Sequence, residues 1–165
     1  LIMMLILNRR TLIRLQRYND GKILNKSLNI DYFALNGHLS LIILYNDNLN
    51  VICTTDAMNW ASENGHLDVV KWLHKNRTEG CTTDAMNWAS ENGHLDVVKF
   101  LHFNRTEGCT EYAMNLASQN GFLDVVIWLH ENRTEGCTKY AMIFASCFGH
   151  TEIVKFLKQH YPQFA

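Results

Sequence analysis

The stretch Cys53 to Lys71, CTTDAMNWASENGHLDVVK, returns without a change of letter as Cys81 to Lys99. Gly37, Gly65, Gly93, Gly121 and Gly149 carry the same 28-residue spacing along the chain, so at least five copies of one unit stand end to end. A unit this short cannot enclose a core by itself; neighbouring copies must stack and share one. The expected product is a quasi-linear solenoid with a long outer surface, not a closed catalytic cleft.

Within one copy, Thr54, Thr55 and Asp56 are N-cap residues placed ahead of a first helix predicted over 57–64. Met58, Ala61 and Ser62 fall on one side at i, i+3 and i+4, where small residues let a neighbouring backbone approach. Gly65 then supplies a position free to take positive φ and stops the helix. Leu67, Val70 and Leu73, flanked by Val69 and Trp72, predict a second helix with an apolar stripe, with Asp68 and Lys71 on its wet side. Asn76-Arg77-Thr78-Glu79-Gly80 closes that helix and leads into the next cap.

Composition narrows the class further. The chain has 165 residues, 47% of them hydrophobic, enough for one elongated domain with a continuous core. Its formal net charge of −1 lacks the clustered cations that displace counterions from a phosphate backbone, so no nucleic-acid partner is expected. The apolar opening Leu1 to Leu7 is too short to span a bilayer and has neither the basic start nor the small-residue cleavage site of a secretory signal. No membrane association is expected, and an intracellular, cytoplasmic location is. Cys53, Cys81, Cys109 and Cys137 recur once per copy. Stacked helices lie roughly 8–10 Å apart, whereas a disulfide needs Cα atoms within about 7 Å, so this ladder reads as small buried hydrophobes. The Asn-x-Thr triplets at Asn76, Asn104 and Asn132, with Asn-x-Ser at Asn25, read as loop chemistry in such a compartment.

The run from Asp56 to Leu73 resembles the ankyrin repeat, T-P-L-H-x-A-A-x-x-G-H-x-x-x-V-x-x-L-L. Ala61, Gly65, His66, Val70 and Leu73 match directly and Met58 matches by type; Asp56 and Asn59 depart from the family's Thr and His but can each bond locally across the first turn. The period is five residues shorter than is usual in that family. It is similar to the short 28-residue ankyrin-like arrays of some unicellular eukaryotes and large DNA viruses. Too little chain remains between Arg77 and Asp84 for the β-hairpin finger that many ankyrin proteins use, which shifts recognition toward helix surfaces. The resemblance implies an all-α, ankyrin-type helical solenoid of about five to six stacked helix-turn-helix repeats with short inter-repeat loops. The expected division is a degenerate N-terminal cap at 1–24, with Leu12, Ile13 and Leu15 as its apolar residues, repeats at 25–52, 53–80, 81–108, 109–136 and 137–160, and a tail at 161–165.

Candidate chemistry is sparse. His38, His66, His94 and His150 form one ladder and His74, His102 and His130 another. Equivalent side chains about 10 Å apart cannot converge on a zinc ion that needs its ligands within about 2.0–2.3 Å, so no metal is expected. The resemblance gives His66 and its equivalents a hydrogen bond around the inter-helix turn. Cys147, three residues before His150, has no acid or oxyanion donor patterned beside it and reads as a plain thiol. Tyr32, Trp60, Trp88, Leu116 and Phe144 share a position that the resemblance turns toward the neighbouring repeat, so core packing is expected in preference to a stacking platform. Asp68, Asp96, Asp124 and Glu152 recur singly and make no hydrolytic acid pair. No catalysis and no cofactor are expected.

Partner contacts should lie where similar repeats differ. The exposed ends of the first helices run Glu63-Asn64, Glu91-Asn92, Gln119-Asn120 and Cys147-Phe148, and the residues near the cap run Thr55, Thr83, Glu111 and Lys139. By the resemblance these positions line a concave groove, which nominates Thr55, Glu63, Asn64, Thr83, Glu91, Asn92, Glu111, Gln119, Lys139 and Phe148 as contacts. Phe103 replaces Lys75 and Glu131 on the polar face of a second helix, and Ile127 replaces Lys71 and Lys99. They predict a small apolar patch on the convex back that nominates Phe103 and Ile127 for self-association or a partner contact, against drift after duplication as the simpler account. The function expected is a monomeric protein-protein interaction module that presents a rigid surface to a protein partner. The alternatives are a substrate-recruiting arm of a larger enzyme or adaptor, or a structural spacer.

Overall fold

The computed structural model of the protein describes residues 29–46 and 51–164. The expected degenerate cap at 1–24 lies outside the described residues. Five helix pairs follow in order: α1 (Ile30–Leu35) with α2 (Leu39–Tyr45), α3 (Thr55–Glu63) with α4 (Leu67–Asn76), α5 (Thr83–Glu91) with α6 (Leu95–Asn104), α7 (Glu111–Asn120) with α8 (Leu123–Asn132), and α9 (Lys139–Cys147) with α10 (Thr151–His160). This is the all-α repeat solenoid that the sequence predicts. Extended pairing among the described residues is an isolated parallel bridge between Asn29 and Ile52.

Local chemistry explains each helix start. Thr54, Thr82, Thr110 and Thr138 sit in extended backbone, and each hydroxyl accepts the N–H two residues on, which satisfies one of the orphan donors at the helix start. Thr55 and Asp56 therefore lie inside the helix, two residues earlier than the expected start. At the second helices' ends, Asn76, Asn104 and Asn132 donate through Nδ2 to the carbonyls of Trp72, Phe100 and Trp128 at 2.8 Å, so the Asn-x-Thr triplets serve as helix-end caps.

The core runs unbroken through the stack. Met58, Ala61 and Ser62 are buried as predicted, and Val69, Val70 and Leu73 form the buried stripe of α4, with Leu67 and Trp72 half-buried at its margins. First helices pack closely on one another from repeat to repeat, whereas second helices touch their neighbours at only a few points. Tight packing along the first helices and looser packing along the second make α1, α3, α5, α7 and α9 the inner row of the stack. Residues 161–164, expected as a tail, instead pack on the last repeat: Tyr161 and Phe164 lie against the core, with Pro162–Phe164 as a 3-10 turn.

Three couplings join each repeat to the next. The first is a reciprocal pair. Asn59 donates to Thr82 Oγ1 at 3.1 Å and accepts from Thr82 N at 3.0 Å; Asn87 with Thr110 and Asn115 with Thr138 repeat it. At the first joint Asp31 stands in the asparagine's place, so Thr54 donates both its N–H and its hydroxyl to the carboxylate, at 2.8 and 3.0 Å. The local bond expected of Asn59 is thus a bridge between repeats, because the side chain is buried against the following cap rather than turned along its own helix.

In the second coupling, a ring from each repeat fills the space beside the preceding repeat's glycine. A Cβ at Gly93, whose φ is +75°, would stand 2.5 Å from the Phe122 ring. His66 Nε2 pairs with Leu35 O at 3.2 Å and His150 Nε2 with Gln119 O at 2.9 Å, so these histidines cross to the previous repeat instead of closing their own turn. Where Phe122 replaces the histidine, Asn120 Nδ2 takes over the equivalent acceptor, Glu91 O, at 2.8 Å.

The third coupling is in the loops. Arg77, Arg105 and Arg133 pair with Glu79, Glu107 and Glu135, and the Glu107 carboxylate also accepts Cys81 N at 3.4 Å from the loop before it. Burial pushes the Glu107 carboxyl up, but the Arg105 bonds and the backbone N–H donors outweigh it and hold it at about 2. At the last repeat Tyr161 occupies the arginine position, and its hydroxyl lies 3.0 Å from His130 Nδ1.

Candidate functional site

With the interior committed to joints, the outward face of the inner helices remains. On α3, Asp56, Trp60 and Glu63 lie at i, i+4 and i+7 and share that face; Asp84, Trp88 and Glu91 repeat the arrangement on α5. On α7 the same positions hold Tyr112, Leu116 and Gln119, and on α9 Tyr140, Phe144 and Cys147. The face therefore changes from acid-tryptophan-acid in two repeats to neutral and aromatic in the next two. Tyr112 is 59% exposed, Tyr140 51% and Phe148 61%.

This face corrects the expected role of the aromatic row. Trp60, Trp88, Leu116 and Phe144 are half-buried on the surface of the inner helices and stand apart from the core cluster, and Tyr32 is exposed. The helix sides turned toward neighbouring repeats are taken by Ala57, Met58, Asn59, Ala61 and Ser62 and their equivalents, all buried, which leaves the tryptophans outside. The i, i+4, i+7 spacing of Asp56, Trp60 and Glu63 was the sequence signal that could have found them.

Electrostatically the acids of α3 and α5 are unpaired among the described residues. Among the described residues, ion pairs join Arg77 to Glu79, Arg105 to Glu107, Arg133 to Glu135 and Lys155 to Glu152 only. Among the described residues the carboxylates of Asp56, Glu63 and Glu91 have no cation, and Asp84 accepts the neighbouring Thr82 hydroxyl at 3.1 Å. Cations stand over rings at Phe100, under Lys71, and at Tyr140, beside Lys139, but not at Trp60 or Trp88.

Of the contacts nominated from sequence, Thr55, Glu63, Thr83, Glu91 and Gln119 are half-buried on the inner row, and Glu111, Lys139 and Phe148 are exposed there. Asn64 and Asn92 are exposed, but their amides already donate to Trp60 O and Trp88 O, so part of their polar capacity caps the helix. On the back, Phe103 is 72% exposed while Ile127 is only half-buried. Phe103 makes an edge contact with His102 at 4.8 Å between ring centres.

Nothing else gathers chemistry. The described residues hold no group of three or more His, Cys, Asp or Glu placed to share a metal ion, and no helix of theirs is long and apolar enough to cross a membrane. All five cysteines are free; burial raises the Cys81 thiol to about 12 and Cys53, Cys109 and Cys137 to about 11, which makes them poor nucleophiles. An open depression of about 570 Å³ at the C-terminal end is lined by Cys137, Thr138, Lys139, Ile143, Gln163 and Phe164, without a carboxylate or histidine.

Comparison with known proteins adds to this geometry. The sequence model for ankyrin repeats (3 copies) matches residues 86–164, and that for ankyrin repeats (many copies) matches residues 58–102. A chain of the crystal structure of the yeast ribosomal protein Rps3 in complex with its chaperone Yar1 superposes with a TM-score of 0.52 at 20% identity, over 66% of this chain and 93% of that one. That likeness is one of fold. No curated protein matches the sequence.

Proposed function

This chain belongs to the ankyrin-repeat family, and from that premise we propose that it is a protein-binding module which presents its inner helix row to a protein partner and performs no chemistry of its own. The observation that carries the proposal is the contrast in satisfaction. Asparagine, histidine and arginine side chains at the joints are bonded between repeats, while the acids of the inner face have no ion-pair partner among the described residues and Trp60 and Trp88 lie outside the core. A protein of the solved neighbour's complex is named as a chaperone bound to a ribosomal protein, which agrees with a binding role.

The mechanism is rigid presentation. Stacking fixes the inner helices before a partner arrives, so little conformational entropy remains to be lost on binding. Such a module acts as a monomer inside the cell, in a reducing compartment where five free thiols persist, and needs neither metal nor cofactor. Glu63, Glu91, Gln119 and Phe148 make partner contacts, flanked by Thr55, Thr83, Glu111 and Lys139. Affinity capture from a cell lysate, comparing the natural chain with a Glu63→Lys, Glu91→Lys variant, tests this reading. A protein recovered by the natural chain and lost by the variant is the expected result; identical recoveries would sink it.

A further inference from the structure

Resting on that reading, we infer that the inner face takes an extended basic segment of its partner, with two cationic side chains spaced three residues apart seated on Trp60 and Trp88, and two large apolar side chains following at the same spacing. Three observations support the choice of occupant.

Charge is the first. The inner helices α3 and α5 carry Asp56, Glu63, Asp84 and Glu91 and no Lys or Arg, and none of these four acids is ion-paired among the described residues, the inner row's Lys139 lying two repeats further on beside Tyr140. By contrast the loop acids Glu79, Glu107 and Glu135 all have an arginine. Four carboxylates left this way on adjoining helices set a negative potential that a basic partner fills.

The second is the form of each subsite. Trp60 and Trp88 each lie one turn from an acid on either side, at i−4 and i+3, so a cation laid on the indole reaches a carboxylate without moving. A guanidinium suits this better than an ammonium, since its plane stacks on the ring while its edge donates to carboxylate oxygens.

The third is spacing. Neighbouring inner helices lie roughly 8–10 Å apart, and an extended chain advances roughly 3.3 Å per residue, so one residue in three meets one repeat. Past Trp88 the same line runs over Tyr112 and Leu116, then Tyr140 and Phe144, where Tyr140 and Phe144 stack at 5.7 Å. Apolar side chains, not cations, match those two repeats.

The test uses the full chain and a fluorescein-labelled peptide of about twelve residues, with arginine at its second and fifth positions, leucine and phenylalanine at its eighth and eleventh, and glycine and serine elsewhere, the spacing set by the extended rise. Fluorescence anisotropy should show saturable binding. Glu63→Gln with Glu91→Gln should weaken it about fivefold, and Trp60→Leu with Trp88→Leu about tenfold at unchanged charge, with circular dichroism verifying that each variant is folded. Moving the two arginines next to each other should weaken binding as well. Equal binding by the clustered peptide, or indifference to the tryptophan variants, would overturn the inference by reducing it to diffuse charge attraction. If no peptide binds while the Glu63→Lys, Glu91→Lys variant still loses a protein captured by the natural chain, the basic segment falls and the protein-binding reading stands. Failure of both removes both.

Discussion

The joints between repeats and the inner face differ in the one respect that separates architecture from recognition. At the joints the same side chains recur and find partners in the next repeat: Asn59, Asn87 and Asn115 each close a two-way pair with the following cap threonine. On the face, a residue or two away along the same helices, the side chains change from Asp56-Trp60-Glu63 to Tyr112-Leu116-Gln119 to Tyr140-Phe144-Cys147, and none of these side chains bonds to the next repeat among the described residues. Repetition is kept where stacking needs it and relaxed where stacking does not reach. The last repeat makes the point from the other side. Ile143 stands where an asparagine would and is 43% exposed, with no cap threonine against it among the described residues.

Breaking a joint in mid-array should have the largest effect on stability. Asn87→Ala removes both bonds to Thr110, at 3.1 and 3.0 Å, and leaves the Thr110 N–H without its acceptor. The expected loss is about 2–4 kcal/mol, two modest hydrogen bonds plus an unsatisfied group. Urea unfolding measures it. The reverse change at exposed Ile143, Ile143→Asn, should stay within about 0.5 kcal/mol; a comparable loss there would mean that the pair is not specific to joints.

A second contrast separates backbone strain from crowding. Gly93 and Gly149 have nearly the same φ, +75° and +78°, so alanine at either meets the same left-handed cost of about 1 kcal/mol. Only at Gly93 would the new Cβ strike a ring, Phe122 at 2.5 Å, whereas Gly149 has nothing within 4 Å. Gly93→Ala should therefore be less stable than Gly149→Ala by about 1–2 kcal/mol in thermal or urea melts.

Acid probes the loop coupling. The folded carboxyl of Glu107 is held at about 2, below its ordinary 4.5, so its contribution is fully present above about 4.5 and disappears as pH falls toward about 2. Glu107→Gln should cost about 1 kcal/mol at neutral pH. It should also flatten the stability-against-pH curve between those limits, read from urea midpoints across the range. An unchanged slope would assign the acid sensitivity to other carboxylates.

The sequence made the period, the helix pairs, the buried stripe and the helix starts legible to within two residues, because these rest on spacing and on local capping. It left the joints hidden. Asn59 and Thr82 lie 23 residues apart and His66 and Leu35 lie 31 apart, so both read as local groups until the superhelix brings consecutive units together. The tryptophans went to the wrong side for a related reason. A large apolar residue reads as core unless the small residues around it, Ala57, Ala61 and Ser62, are seen to have filled that contact already. Phe103, on the back, was readable as exposed because its equivalents Lys75 and Glu131 are charged.

The smallest expected stability change is at the face itself, and its smallness is what makes it useful. Glu63 ends α3 and Glu91 ends α5, where a negative side chain meets the negative end of the helix dipole. Glu63→Lys with Glu91→Lys relieves that repulsion and breaks no ion pair among the described residues, so urea midpoints should hold or rise, by no more than about 0.5 kcal/mol. Partner capture should nonetheless be lost. A variant that folds as well as the natural chain and binds nothing would place recognition on the face alone. If the pair of changes instead lowered stability by more than about 1 kcal/mol, the two acids would belong with the joints, and the division between the regions would have to be redrawn with Asp56 and Asp84 as the carboxylates facing a partner.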